Sequence, residues 1–355
     1  MKRTSLRILA VLMTLTLLFG LSACGADKPS APAAAGSAAA PAGGGSPSEE
    51  QIVLKIGHGF AATHPVSTEL ENLAGRVAEA SGGKVKIELY GAGVLGSNDQ
   101  LVQQVISGSL NAMIAGAVDN FTSYNQLADV EDLPFLFGSE AEAQKALDGA
   151  YGDMLRTEVI DPIGVHTVCF WENGLRHITN NKKPLYSPAD FKGIKFRSAV
   201  APMFIKMFET LGASAVPIAM NELFTALQQG TVDGQENPLT NIESMSLFEV
   251  QKYVTLTGHV YVSSPVVFNA AVWDAYPEDV KALLTKEFEA GRDNERKLSA
   301  EMTASAQKNL EEKGMAFNEL NDHEEFVNAL KPVWDYYVEQ NGEAGQKLIS
   351  AATQG

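Results

Sequence analysis

From residue 51 onward, short apolar segments of period two alternate with longer segments of helical period, and that alternation leaves few folds open. Ile52-Val53-Leu54-Lys55-Ile56 reads as a strand. Leu70, Leu73 and Val77 share one face of a helix expected over Thr68–Ala80, which Ser81-Gly82-Gly83 ends. In the next strand, 85–90, Val85, Ile87 and Leu89 alternate with Lys86 and Glu88. A helix over Asn98–Ile106 and a short strand over Ala112–Ala117 follow. The segment His166–Trp171 reads as a buried strand, and Cys169 within it as a packed, inert thiol. The alternation resumes with a strand at Gly193–Arg197, a helix at Pro202–Leu211, a strand at Ala215-Val216-Pro217 and a helix at Asn221–Gln229. After Pro277 helical sequence dominates, with Val280, Leu283, Leu284 and Phe288 spaced for one face. The pattern predicts an α/β protein with a largely parallel sheet. About 300 residues are enough to divide into two lobes.

The N-terminus follows different rules. Lys2, Arg3 and Arg7 precede an apolar run from Ile8 to Leu21, which has the length of a secretory signal core. Leu21-Ser22-Ala23-Cys24 follows and resembles the lipobox of bacterial lipoproteins, which implies a lipidated Cys24. Gly25–Ser48 is mostly Ala, Pro, Gly and Ser, a composition too poor in core residues to offset its ordering entropy. Residues 1–23 therefore read as a signal peptide and 24–50 as a lipidated cysteine and disordered tether, placing the rest outside the cytoplasm on a membrane anchor.

Charge and motifs exclude several functions. The net charge of −16 argues against a nucleic-acid partner and requires any anion site to concentrate its own positive charge. Gly91-Ala92-Gly93-Val94-Leu95-Gly96 matches a dinucleotide fingerprint, but the strand before it is the second of its lobe, not the first. It reads instead as a turn, with Ser97 or Asn98 capping the next helix. His58 and His64 are close in sequence without a third ligand nearby, so no metal is expected. Asp129, Glu131 and Asp132 read as a solvated loop leading into the core segment Leu133–Phe137. No catalytic residue and no cofactor is assigned.

The region from Trp171 to Asn241 is the most informative. Gly174-Leu175-Arg176, Phe191-Lys192-Gly193-Ile194-Lys195-Phe196-Arg197, Leu211-Gly212-Ala213 and the run Asn221–Pro238 resemble the solute-binding proteins of tripartite ATP-independent periplasmic (TRAP) transporters. These are the DctP-like family, which includes binders of C4-dicarboxylates and of sialic acid. Weaker echoes at His64-Pro65, Val94-Leu95-Gly96, Leu133-Pro134-Phe135 and Thr257-Gly258-His259 extend the resemblance over nearly the whole mature domain. It implies a two-lobed periplasmic-binding-protein-like α/β fold with a ligand cleft between the lobes and a long connecting helix. On that pattern residues 51–173 with about 263–302 form the first lobe, and 174–262 with about 303–355 the second.

The resemblance makes Arg197 the main carboxylate clamp, Arg176 a second ligand-contacting arginine on the segment crossing between lobes, and Asn237 the residue orienting the same carboxylate. The residues support this independently. Arg197 stands at the carboxyl end of a strand, where open α/β sheets bind ligands, and a guanidinium grips a carboxylate through two parallel hydrogen bonds. Met220 takes a place often held by an aromatic residue, and Ala115–Asn120 departs from the sialic-acid binders, so another ligand is expected. Asp119, Asn120, Glu172 and His64 are candidate partners for hydroxyl groups, with Trp171 beside them. The expected function is capture of a small carboxylate (dicarboxylate, hydroxy or oxo acid, or sugar acid) by hinge closure and delivery to a TRAP-type permease. A receptor for another importer or a sensor, and an exported enzyme using His58, His64 and Asp119, remain open alternatives.

Overall fold

A computed structural model describes residues 51–354; the signal-peptide, Cys24 and tether assignments lie outside the described residues. The first part of the chain forms β1 (Ile52–His58), α1 (Pro65–Ala80), β2 (Val85–Tyr90), α2 (Asn98–Ser107) and β3 (Ala112–Ile114). After two 3-10 segments come α3 (Glu140–Leu147), α4 (Ala150–Met154) and the long β4 (Val165–Asn180). The chain continues through β5 (Lys195–Ser198), α5 (Pro202–Thr210), β6 (Ser214–Pro217), α6 (Leu223–Gln228), β7 (Gly234–Pro238), α7 (Leu239–Ser244), β8 (Tyr253–Leu256) and β9 (Tyr261–Asn269). It closes with α8 (Ala270–Ala275), the 35-residue α9 (Glu278–Glu312), β10 (Ala316–Glu319), α10 (His323–Ala329) and α11 (Lys331–Thr353).

The sheet order is β2-β1-β3-β9-β4-β7-β5-β6, with β8 paired to β4 and to β10. The pairs β1–β2, β1–β3, β5–β6 and β5–β7 are parallel, as the alternating pattern requires. β4 and β9 run antiparallel through the middle. The first part of β4, Val165–Leu175, pairs with β9, and its last part, Arg176–Asn180, pairs with β7. One strand thus belongs to both halves of a two-lobed α/β fold. At the changeover the β4–β9 register shifts between Glu172 and Gly174, and Gly174 has φ 110°, a conformation glycine adopts without steric cost.

Local chemistry sets most element ends. α1 begins three residues before the expected Thr68, because His64 Nδ1 accepts from Val66 N at 3.2 Å and Pro65 occupies the first turn. Val66, Leu70, Leu73 and Val77 then face the core. α2 starts at a reciprocal capping box between Ser97 and Gln100 and stops at Gly108, φ 77°. The glycine-rich segment before it is the tight turn from β2 into that cap. A side chain on Gly91 would meet His58 Cε1 at 2.7 Å. The helix expected at Asn221–Gln229 opens as a 3-10 turn, Met220–Glu222, before α6.

α9 lies across the crossing strands. Trp171 Nε1 donates to Phe288 O at 3.1 Å, Glu172 N donates to Glu295 Oε2 at 3.0 Å, and Gly291 leaves room for the indole. Cys169 is buried there; burial pushes its thiol up to about 12, and Sγ donates to Phe288 O at 3.5 Å.

The acidic run Asp129-Val130-Glu131-Asp132 corrects an expectation. It is not a solvated loop: Asp129, Glu131 and Asp132 are all buried in a 3-10 segment, Gln126–Asp132, packed against β9 and α11. Burial pushes Asp129 and Glu131 up to about 7, and Asp132 well above the ordinary carboxylate range, which favours their protonated forms. Glu131 accepts from Ser263 N and Oγ at 2.9 Å, and Asp129 accepts from Thr122 Oγ1. Glu131 thus has a partner distant in sequence and Asp129 a nearby one, while both Asp132 oxygens are buried without a hydrogen-bond partner, an arrangement that protonation makes less costly.

Candidate functional site

Where β4 passes from one half of the sheet to the other, the described residues enclose a cavity of about 80 Å³. Arg176, Arg197, Asn237, Met220, Asp119 and Asn120 all line it.

Arg197 is delivered by β5. Phe196 stacks on Phe208 at 4.6 Å beneath the sheet, and the parallel pairing of Arg197 with Val216 fixes the strand end. Arg197 is buried, and its Nε donates to Ile218 O at 2.8 Å. Among the described residues its terminal nitrogens make no hydrogen bond and no carboxylate lies within ion-pair distance. Burial holds its pKa down at about 10; Glu236 and Asp119 oppose that shift and Arg176 adds to it. Arg197 is therefore a buried cation with no ion-pair partner among the described residues, a costly arrangement unless a ligand completes it.

Arg176 is different. Placed on β4 just past the Gly174 bulge, it is gripped by Glu236 through Nε–Oε2 and through Nη2–Oε1 at 2.9 Å. Its Nη2 also donates to Glu236 O at 3.0 Å and to Asn237 Oδ1 at 3.1 Å, and the guanidinium lies 5.3 Å from the Phe204 ring centroid. Burial pushes the Glu236 carboxyl up, but the Arg176 charge, the hydrogen bonds from His259 and Arg176, and the nearby His259 together outweigh it and hold it down at about 2. One of the two arginine charges is thus neutralised internally and the other is not.

Asn237 comes from β7, one residue before Pro238, which forms the N-cap of α7. Its Oδ1 takes the Arg176 hydrogen bond, and its Nδ2 lies 4.0 Å from Met220 Sδ. Two residues that the sequence reading missed extend the polar row. Asn241 Nδ2 donates to Asn173 Oδ1 at 2.7 Å, and Asn173 Nδ2 donates to Gly116 O at 2.7 Å. The available signal was spacing: Asn241 lies one helical turn after Asn237, and Asn173 sits beside the Gly174 bulge.

The facing wall comes from the first part of the chain. Asn120 Oδ1 accepts from Gly116 N at 3.0 Å and Ala117 N at 3.1 Å, and its Nδ2 donates to Asp119 Oδ1 at 2.7 Å. Burial pushes Asp119 up to about 6, less than it otherwise would because Arg176 and Arg197 are near. Asn98 and Asp99 of α2 complete this side.

The remaining candidates lie outside the lining. Trp171 packs under α9. Glu172 accepts from Gln144 Nε2 at 2.6 Å and from Tyr261 Oη at 3.1 Å. His64 caps α1 and stacks on Phe60, a lining residue, at 4.4 Å; burial and nearby His58 hold its pKa down at about 3. Among the described residues no group of three His, Cys, Asp or Glu is placed to hold a metal ion, and no helix is long and apolar enough to cross a membrane.

Comparison with known proteins agrees with this architecture. The family model for bacterial extracellular solute-binding proteins, family 7 (DctP), matches residues 56–341. The chain is 33% identical over 303 residues to the 2,3-diketo-L-gulonate-binding periplasmic protein YiaO of Escherichia coli, covering 85% of this chain and 91% of that one. It is 38% identical over 258 residues to the uncharacterized protein y4mM of Sinorhizobium fredii, a longer protein of which the match covers 47% against 73% of this chain. Among solved structures, the sugar acid binding protein DctPAm of Advenella mimigardefordensis, in complex with galactonate, superposes with a TM-score of 0.82 at 32% identity, covering 86% of this chain and 99% of that one. The family is one of solute-binding proteins, and YiaO and the Advenella protein are named as binding proteins, not enzymes. This chain belongs to the bacterial extracellular solute-binding proteins of family 7, the DctP family of TRAP transporter binding proteins.

Proposed function

We propose that this protein captures a small carboxylate outside the cytoplasm and delivers it to a TRAP-type permease, held at the membrane by lipid on Cys24. One observation carries the reading: Arg197 is a buried guanidinium with one main-chain hydrogen bond, no ion-pair partner among the described residues, and a place in the cavity wall. A ligand carboxylate would accept two parallel hydrogen bonds from it, while Asn237, fixed by Arg176, orients the second oxygen. YiaO is named for 2,3-diketo-L-gulonate and the Advenella protein holds galactonate, both carboxylates, which supports the same chemistry here.

The chain path supports closure as the mode of capture. Lobes at 51–173 with about 263–302, and 174–262 with about 303–355, would rotate about the changeover in β4 and β9 and exclude water from the Arg197 contact.

The test is calorimetric titration and thermal shift of residues 51–355, stripped of copurified ligand, against a panel of dicarboxylates, hydroxy and oxo acids, aldonates and uronates. A ligand that binds only the native state raises the melting temperature by mass action. Binding of at least one acid class, lost in Arg197→Met, supports the reading; no binding by any acid defeats it. Delivery is tested by ligand uptake into vesicles carrying the cognate permease. Lipidation is tested by palmitate labelling, which Cys24→Ser should abolish.

A further inference from the structure

The cavity has two chemically opposite walls, and their contrast restricts the ligand. The Arg197 wall offers hydrogen-bond donors and one uncompensated positive charge, since the Arg176 charge is matched by Glu236. The facing wall offers acceptors that have no donor. Asn98 lines this side too, with its Oδ1 enclosed by the protein. Asp119 uses Oδ1 on Asn120, and among the described residues Oδ2 accepts nothing. Asp119 is itself more than nine-tenths buried. Asp99 adds a second carboxylate beside them.

A carboxylate has no proton to give these atoms, and a second one would stand against Asp119 without a cation to compensate it. A hydroxyl group has the proton they lack and carries no charge. We infer, resting on the carboxylate reading above, that the ligand is a monocarboxylate bearing hydroxyls on its far end, and that Asp119 selects it over dicarboxylates of the same length. Buried acceptors left without donors are costly, so an acid lacking those hydroxyls is rejected as well as one carrying a second charge.

The closing experiment uses ligand pairs that differ at one end only. Aldonates of four to six carbons are compared by calorimetry with the matching aldarates, in which the terminal hydroxymethyl group is oxidised to a carboxylate. Hexanoate reports a carboxylate without hydroxyls, and the parent sugar reports hydroxyls without a carboxylate. The parent protein is expected to bind at least one aldonate roughly 100-fold or more tightly than its aldarate, from like-charge juxtaposition in a buried site. Asp119→Asn, which keeps an acceptor and removes the charge, should narrow that ratio by roughly tenfold or more. Loss of fold is read separately from the melting temperature of the variant, and an unchanged ratio in a variant that melts within a few degrees of the parent overturns the inference. So does an aldarate or hexanoate that binds the parent as tightly as the best aldonate. Failure of every acid, including the aldonates, would instead sink the carboxylate reading itself.

Discussion

Replacing Arg197 by Met should move ligand affinity and apo stability in different directions. The side-chain volume is roughly kept while the charge and donors are removed. In the parent, burial holds the Arg197 pKa at about 10 against an ordinary 12.5. At about 1.4 kcal/mol per pKa unit, this is about 3 kcal/mol held against the charged side chain. The substitution also removes the Nε–Ile218 O hydrogen bond, a loss of about 1.5–3 kcal/mol for a charged donor. The apo protein should therefore change by about 0 to +1.5 kcal/mol, and its melting temperature should stay level or rise by about 3 °C, given about 2 °C per kcal/mol for a chain of this size. Ligand binding loses two charge-assisted hydrogen bonds, about 3–6 kcal/mol together, or about 10²- to 10⁴-fold in Kd. Scanning calorimetry of ligand-free protein and isothermal titration with the best acid read the two quantities separately. An apo melting temperature that falls by more than about 5 °C, with affinity kept within tenfold, would show that Arg197 supports the fold and not the ligand.

Other perturbations test the rest of the site. Glu236→Gln leaves the Arg176 charge buried without its anion; unfolding should become easier by about 3–5 kcal/mol, and an unchanged denaturant midpoint would contradict the pairing described here. Gly116→Ala places a methyl 2.6 Å from Asn98 Nδ2. The strain should lower ligand affinity roughly tenfold while the melting temperature moves little, and full affinity would place Asn98 outside the binding wall. Stability should also depend on pH in a defined way. Burial raises Asp119 to about 6 and Asp129 and Glu131 to about 7, so their contribution is complete below the ordinary carboxylate range and is lost as pH rises through 6–7. Burial depresses His58 to about 4 and His64 and His177 to about 3, so their contribution is present above the ordinary histidine value of 6.5 and is lost as pH falls toward 3–4. The two sets oppose each other between about 4 and 6.5. The melting temperature should be highest near pH 5–6.5, drop by pH 8 and drop steeply below 4; a rise between pH 6.5 and 8 would contradict the burial of the acids.

Much of the fold was legible because its signals are local. The strand at 85–90 was read with the bounds it has, and α5 differs from the expected Pro202–Leu211 by its C-cap residue alone, since alternation and turn residues act within a few positions. β4 was legible only in its first part. The apolar run His166–Trp171 announced a strand, but the polar continuation through Glu172, Asn173 and Arg176 is extended because β9, β7 and β8 supply its hydrogen bonds. The start of α1 was missed because histidine is an uncommon cap.

The site divides along the same line. Gly174-Leu175-Arg176, the motif Phe191–Arg197 and the run to Asn237-Pro238 pointed to the three residues that meet at the cavity, Arg176, Arg197 and Asn237. Periodicity and motif, acting over short stretches, determined the α/β class and named the basic side chains. Tertiary structure alone decided which arginine is free. Glu236 is sixty positions from Arg176, and no local pattern says that its carboxylate neutralises that guanidinium and leaves the other open. Nor does any local pattern distinguish the buried acids at 129, 131 and 132 from a solvated loop, or separate Trp171, Glu172 and His64 from the cavity. The charge a buried group carries, and the partner it still lacks, depend on atoms brought together across the whole chain, and only the folded packing sets those distances.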